Sequence, residues 1–253
     1  QGRPLDMVRA FAADLHVHTY LSPCAAREMS PQAIVGRCLE LGLDIIAPAD
    51  HNSAANVEAV ASAAAGTGLA VICGMEVCTK EEVHVLTLLP DARAMAEWES
   101  RVASSRAPGT NVPAIFGEQW VFSPQTGDIV QETSLLAAAT SLLLDEVVHG
   151  VGALGGICVP CHVDRRAFSI LAQLGFVPEH LDIPALEISR IIAGDEARTA
   201  FAGICGRTLV SFSDAHFLNE IGLGCSLFWI EEPTFGEIAL ALRGEAGRWV
   251  QVE

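Results

Sequence analysis

Asp14-Leu15-His16-Val17-His18-Thr19 follows directly on the apolar run Phe11-Ala12-Ala13. In a strand, residues i and i+2 share a face. The spacing therefore puts both imidazoles on one side of a strand end, where a metal ion could take a nitrogen from each. Taken alone, a His-x-His pair is as readily a polar strand face. The same setting recurs, however: Asp50-His51, Gly74-Met75-Glu76, His84, Cys161-His162 and Ser213-Asp214-Ala215-His216 each stand at or beside the end of an apolar run.

Working outward, short β-like runs alternate with Ala/Leu-rich helical stretches. Strands are expected at 11–15, 44–48, 69–74, 83–89, 156–160, 185–188, 208–212, 226–230 and 248–252. Helices are expected at 31–41, 54–65, 91–101, 142–154, 168–174, 195–202 and 234–242. Ser30-Pro31 has the cap-then-proline signature of a helix start, and Gly42 ends that helix. From 107 to 133 the pattern breaks at Pro108, Gly109, Pro113, Gly117, Pro124 and Gly127. This reads as an irregular insertion, a candidate lid, with a hairpin pairing 119–122 with 128–131. Strand–helix alternation predicts an α/β fold with a parallel sheet and crossover helices. The polar residues then fall where barrel enzymes carry their chemistry. Alternation leaves a barrel and an open sheet both open.

The 253 residues are 51% hydrophobic and 18% charged, the make-up of a compact folded chain, and the length fits one domain of α/β barrel size or two smaller ones. The formal charge is −16, from 31 acids against 15 bases. That balance repels a phosphate backbone and argues against nucleic acid as a bulk partner. No apolar stretch is long enough to span a membrane, and no basic segment precedes an apolar core near the start. Eight cysteines, scattered and often inside apolar runs, point to a reducing cytoplasm. Cys158-Val159-Pro160-Cys161-His162 matches a haem-attachment pattern. A buried strand there would aim the two cysteines at opposite faces, and His162 as a strand-end ligand explains the stretch better.

Six of the eight histidines join Glu76 and Asp214 in the candidate set: His16, His18, His51, His84, His162 and His216. His149 and His180 read as surface residues. Mixed imidazole and carboxylate ligands suit Zn, Mn or Fe better than Mg or Ca. They are too many for one tetrahedral ion and suit two or three divalent ions, roughly 3.5–4 Å apart, sharing a bridging carboxylate.

In content and order, D-x-H-x-H-T at 14–19, Asp50-His51, Glu76, His84, His162 and Asp214-x-His216 resemble the PHP family, named for polymerase and histidinol phosphatase domains. The resemblance implies a distorted (β/α)7 TIM-like barrel, here a single domain over 1–253. It implies that Glu76 bridges two ions, His16, His18 and Asp214 completing one site and His84 and His162 another. His51 and His216 would hold a third. Where the family usually has a further His or Asp, this chain has Ser22-Pro23-Cys24. Cys24 is a candidate thiolate ligand or a small buried side chain that leaves the third site weak. Asp14 and Asp50 would orient neighbouring imidazoles.

The activity implied is hydrolysis of phosphate esters of a small molecule by a metal-activated hydroxide, with Glu76, Asp214 and His216 at the reacting centre. Arg165 and Arg190 would bind the phosphate, as guanidinium forks do; Arg27 and Arg166 stand nearby in sequence. Amidohydrolases and deaminases also use His-x-His but typically need a strand-borne Lys, and Lys80 is the chain's lone lysine. A proofreading nuclease and a non-catalytic, metal-binding regulatory domain are the other readings.

Overall fold

The computed structural model describes residues 8–252 apart from Cys205, so the leader reading falls, over residues 1–7, outside the described chain. The strands are β1 (Arg9–Val17), β2 (Ile45–Pro48), β3 (Ala70–Val71), β4 (Cys73–Cys78), β5 (His84–Leu89), β6 (Trp120–Phe122), β7 (Ile129–Gln131), β8 (Ile157–Pro160), β9 (Ala185–Ile188), β10 (Thr208–Ser211), β11 (Ser226–Ile230) and β12 (Trp249–Val252). The helices are α1 (Pro31–Leu41), α2 (Val57–Ala64), α3 (Ala92–Ser105), α4 (Pro113–Phe116), α5 (Leu144–Ala153), α6 (Ile170–Leu174), α7 (Gly194–Ala200) and α8 (Phe235–Arg243). Ser30 caps α1 as its sequence requires, its hydroxyl accepting from Ala33 N. Gly42 closes the helix at φ +70, a conformation that costs glycine little. The hairpin in the insertion forms as β6–β7.

The sheet is mixed rather than parallel, which corrects the expectation from alternation. β1–β2, β2–β3 and β9–β10 pair parallel, but β4–β5, β5–β8, β1–β11 and β11–β12 pair antiparallel. The reason is connection length. Residues 79–83 link β4 to β5, too few for a crossover, so the chain must turn back. The strands fall into four hydrogen-bonded sheets, β12-β11-β1-β2-β3, β4-β5-β8, β9-β10 and β6-β7.

Three of these sheets are stitched together at one end. Asn52 N donates to Glu76 O (2.8 Å) and Glu76 N to Asp50 O (3.1 Å), joining β4 to the chain beyond β2. Val163 N donates to Glu187 O (2.8 Å), joining the β8 end to β9, and His18 N to Ala215 O (3.0 Å), joining β1 to the segment after β10. Gly74 permits the β2–β4 approach: a Cβ there would lie 2.7 Å from the Pro48 carbonyl oxygen. One apolar cluster takes Phe11, Ala13 and Leu15 from β1 with Ile45, Leu86, Leu88, Val159, Ala185 and Val210 from facing strands. A second gathers around fully buried Trp98 between α3 and α5, and a third lies under α1 and α2. Among the described residues no helix is long and apolar enough to cross a membrane.

Candidate metal centre

Strict alternation along β1 would aim His16 and His18 away from the core that Phe11, Ala13 and Leu15 enter. The β1–β2 register shifts between Asp14 and Val17. Such an irregularity adds a residue and re-aims the side chains beyond it. After it, Val17 packs into the outer cluster, where Ala12 also sits, and the two histidines turn to the stitched end. His162 (φ +32), Asp214 (φ +50) and Asn52 (φ +50), beside His51, all occupy the left-handed region. Non-glycine residues there are uncommon and carry strain, which concentrates at functional sites.

Glu76 is the hub. It projects from the middle of β4, 1% exposed. Its Oε2 lies 2.7 Å from His51 Nδ1 and its Oε1 2.7 Å from His84 Nδ1. His16, His18 and His162 approach the same carboxylate with Nε2 at 3.4, 3.6 and 3.6 Å. Asp214 Oδ1 stands 3.1 Å from His18 Nε2 and 3.5 Å from His16 Nε2. Burial pushes the Glu76 carboxyl up, but the imidazoles of His84, His16 and His51 outweigh it and hold it well below the usual range. Asp214 is likewise held low against burial, by His16 and His18. Burial and neighbouring His216 keep His18 well below an ordinary imidazole.

The donors fit divalent ions. His16, His18 and Asp214 bring three ligand atoms within 4.8 Å of one another, as do His51, Glu76 and His84, and also His18, His51 and His216. His16 Nε2 is buried without a hydrogen-bond partner, an arrangement that costs free energy unless something else takes the lone pair. His216 Nδ1 donates to the Asp214 carbonyl (2.8 Å), which leaves Nε2 as a lone-pair donor. The eight expected His, Glu and Asp residues thus converge. Cys24 is exposed at the rim, its thiol bonded to His51 and His216. That places it with the histidines of the third group. His149 and His180 lie apart on the surface, His180 against Asp145 at 3.0 Å.

The residues behind the imidazoles were harder to foresee. Glu187, on β9, is 1% exposed, and its Oε2 sits 2.8 Å from His16 Nδ1. Burial lowers His16, yet Glu187, with Cys161 and Glu76, raises it well above normal. A carboxylate in the fully buried strand Ala185-Leu186-Glu187-Ile188 was the available signal, since such a group needs a partner. Asp50 reaches His18 through Ser22: the Ser22 hydroxyl donates to Asp50 Oδ1 (2.7 Å) and lies 2.8 Å from His18 Nδ1. Asp14 contacts no imidazole. Its carboxylate accepts from Ser213 N and Gly222 N, both at 3.0 Å, and so fixes the loop that carries Asp214.

A cavity of about 430 Å³ opens on the cluster, lined by His51, Glu76, His84, His162, Asp214 and His216, with Arg165, Arg166 and Phe168. Arg165 Nη1 donates to Asp214 Oδ2 at 2.7 Å. Arg190 turns instead to Glu220 (3.4 Å), whose other oxygen accepts from His216 N. Arg27 lies over the Trp120 ring.

The PHP domain family model matches residues 14–164, more than half of the chain. Among solved structures the chain resembles the lesion-specific endonuclease PfuEndoQ from Pyrococcus furiosus, at 18% identity and a TM-score of 0.73, over 96% of this chain and 58% of that one. It also resembles Endonuclease Q bound to a 27-mer duplex with an abasic lesion, at 19% identity and a TM-score of 0.74, over 95% and 58%. A two-domain protein containing a predicted PHP-like metal-dependent phosphoesterase, from Bacteroides vulgatus, matches at 13% identity and a TM-score of 0.57, over 100% and 68%. At these identities the likeness is one of fold. The chain spans about three fifths of the endonuclease structures. The search of curated proteins gave no match. Likeness to an endonuclease also removes net charge as sufficient ground for setting nucleic acid aside.

Proposed function

The chain belongs to the PHP domain family, and on that footing we propose that it is a phosphoesterase acting on a small phosphorylated molecule with two or three ions of zinc, manganese or iron. The observation that carries this is Glu76, a buried carboxylate ringed by five imidazole nitrogens at 2.7–3.6 Å. We assign His16, His18 and Asp214 to one ion, His84 and His162 to a second, and His51, His216 and Cys24 to a third, with Glu76 shared. We read β1, β2, β4, β5, β8, β9 and β10, which carry, adjoin or back these residues, as a distorted seven-stranded barrel, and the chain as one catalytic domain.

Divalent ions held there would supply a water acidic enough to lose its proton near neutral pH and would offset charge on the phosphoryl oxygens. The chain does the rest. Asp214, held as a carboxylate beside that water, orients it by accepting its hydrogen bond on Oδ1, while Oδ2 holds Arg165. Arg165, with donors to spare beyond Asp214, and Arg166 meet the phosphate. Arg190 acts at one remove, steadying Glu220 beneath His216.

Metal-loaded protein should release p-nitrophenol from p-nitrophenyl phosphate, and chelation should stop it. Glu76→Ala and His51→Ala should each abolish turnover, and unchanged turnover in either would remove the proposal. A second reading, hydrolysis of a nucleic-acid diester, is supported by the fold shared with Endonuclease Q. It would prevail if oligonucleotides were cleaved and monoesters were not. Ammonia release would favour a deaminase, and full metal occupancy without turnover a structural role.

A further inference from the structure

Beside the metal-ligand cavity lies a second hollow of about 290 Å³. The two share His51, His84 and Phe168 and so form one cleft. Their charged groups are unevenly placed. The first half carries the carboxylates and the two arginines. The second is walled by Pro23, Ile115, Phe116, Leu136, Ala137 and Phe168. Ile115 is 72% exposed and Phe116 42% exposed. Isolated surface hydrophobes are ordinary; here they stand together on a concave wall that runs into the reacting centre, where ligand pockets are apolar with few polar groups.

The polar side chains at this wall are few: Cys24 at its edge, placed above with the third ion, and Asn52, whose amide is already committed. Asn52 Nδ2 donates to Leu136 O and Ala138 O, both at 2.9 Å, and its Oδ1 accepts from Cys78 N at 2.9 Å. A sugar or polyol entering the hollow would lose water and gain few hydrogen bonds in exchange. A flat apolar ring would lose nothing. Phe168, stacked on His84 with centroids 4.5 Å apart and 26° between planes, offers a ring surface at the junction.

The wall is held in place by contacts within the chain. Gly117, at φ +102, ends α4 so close to the Pro23 carbonyl that a Cβ would lie 1.8 Å from its oxygen. Asn111 Nδ2 donates to Gly117 O (2.8 Å), and Asn111 N to Thr133 O (2.8 Å). Trp120 N donates to Tyr20 O, and Phe122 N to Asn56 Oδ1. These bonds tie the 107–133 segment to the chain beyond β1 and β2, as a fixed side of the cleft.

We propose that this hollow is the leaving-group subsite, and that it selects phosphate esters whose alcohol carries an aromatic ring over those of sugars and polyols. The proposal rests on the phosphoesterase reading above. Benzyl and ethyl phosphate test it, because neither leaving group is a stabilised phenoxide. With Zn²⁺- or Mn²⁺-loaded protein, kcat/KM should favour benzyl phosphate, and Ile115→Ser/Phe116→Ser should cut the benzyl-to-ethyl ratio by about tenfold or more. A ratio near one, or a ratio the double variant leaves unchanged, overturns the subsite while the esterase stands. If neither ester turns over, the esterase reading fails, and calorimetry with benzylphosphonate and ethylphosphonate then decides the hollow. Benzyl-selective binding that the double variant loses upholds the subsite; equal binding overturns it. Should the double variant fail to fold, Ile115→Ser alone, at an exposed position, replaces it.

Discussion

Glu187→Gln should weaken metal binding without unfolding the protein. The amide keeps the shape of the carboxylate and can still accept from His16 Nδ1 across the present 2.8 Å. Only the charge is lost. A hydrogen bond to a charged group contributes about 1.5–3 kcal/mol against about 1 for a neutral one. The expected loss is therefore about 1–2 kcal/mol in the basicity and orientation of His16. Carboxylates behind metal-bound histidines typically cost about 10–100-fold in affinity when removed, which agrees. Competition of Zn²⁺ between the protein and a chromophoric chelator would measure it. The pH dependence supplies a second sign. Burial lowers His16, but Glu187 raises it above the ordinary value, so a proton competes for His16 at higher pH in the parent than in the variant. As pH falls the parent loses affinity first, and the gap between the two proteins should narrow. Equal affinities at high pH in a folded variant would refute the role given to Glu187.

Three further outcomes follow from the geometry. Iodoacetamide should modify Cys24 first in metal-free protein, since it is exposed and, although partial enclosure opposes this, bonds from His216 and His51 bring its thiol down to about 6; Zn²⁺ should protect it, and undiminished labelling would remove Cys24 from the ligand set. Gly117→Ala should destabilise by about 2 kcal/mol or more in urea unfolding, because the new Cβ meets the Pro23 carbonyl; a change within about 0.5 kcal/mol would show that the turn relaxes freely. Asp182, held below the usual carboxylate range by its bonds from Arg243 at 2.8 and 2.6 Å, binds fewer protons folded than unfolded. Its contribution is present above the ordinary carboxylate pKa and lost as pH falls through the folded value. The thermal midpoints of Asp182→Asn and the parent should therefore converge in acid and differ slightly at neutral pH, the more so at low salt.

Much of the element order is legible because local rules act over a few residues. Ser30-Pro31 starts a helix, and the β6–β7 hairpin closes around Ser123-Pro124-Gln125-Thr126-Gly127 where the turn residues put it. Strand partners are a different matter. Period-two alternation in 83–89 marks a strand face but carries nothing about whether the neighbour runs parallel; the short 79–83 link decides that. The candidate ligands are legible as chemistry at strand ends. Their supports are not. Glu187 meets His16 across 171 positions, and Asn52 gains its role from carbonyls at Leu136 and Ala138. Arg190 and Arg165 look alike as strand-end bases, yet Arg190 meets Glu220 and Arg165 meets Asp214.

What the sequence by itself determined is that His16 and His18 act together, because residues two apart on a strand cannot face opposite ways. It marked as well six histidines and two acids at or beside the ends of apolar runs, although Glu76 stands inside β4, which continues through Val77 and Cys78. Which way the histidine pair points was decided by tertiary structure alone. The register shift between Asp14 and Val17 against β2 turns the pair to the stitched end, and that shift exists only once a second strand is there to be out of step with.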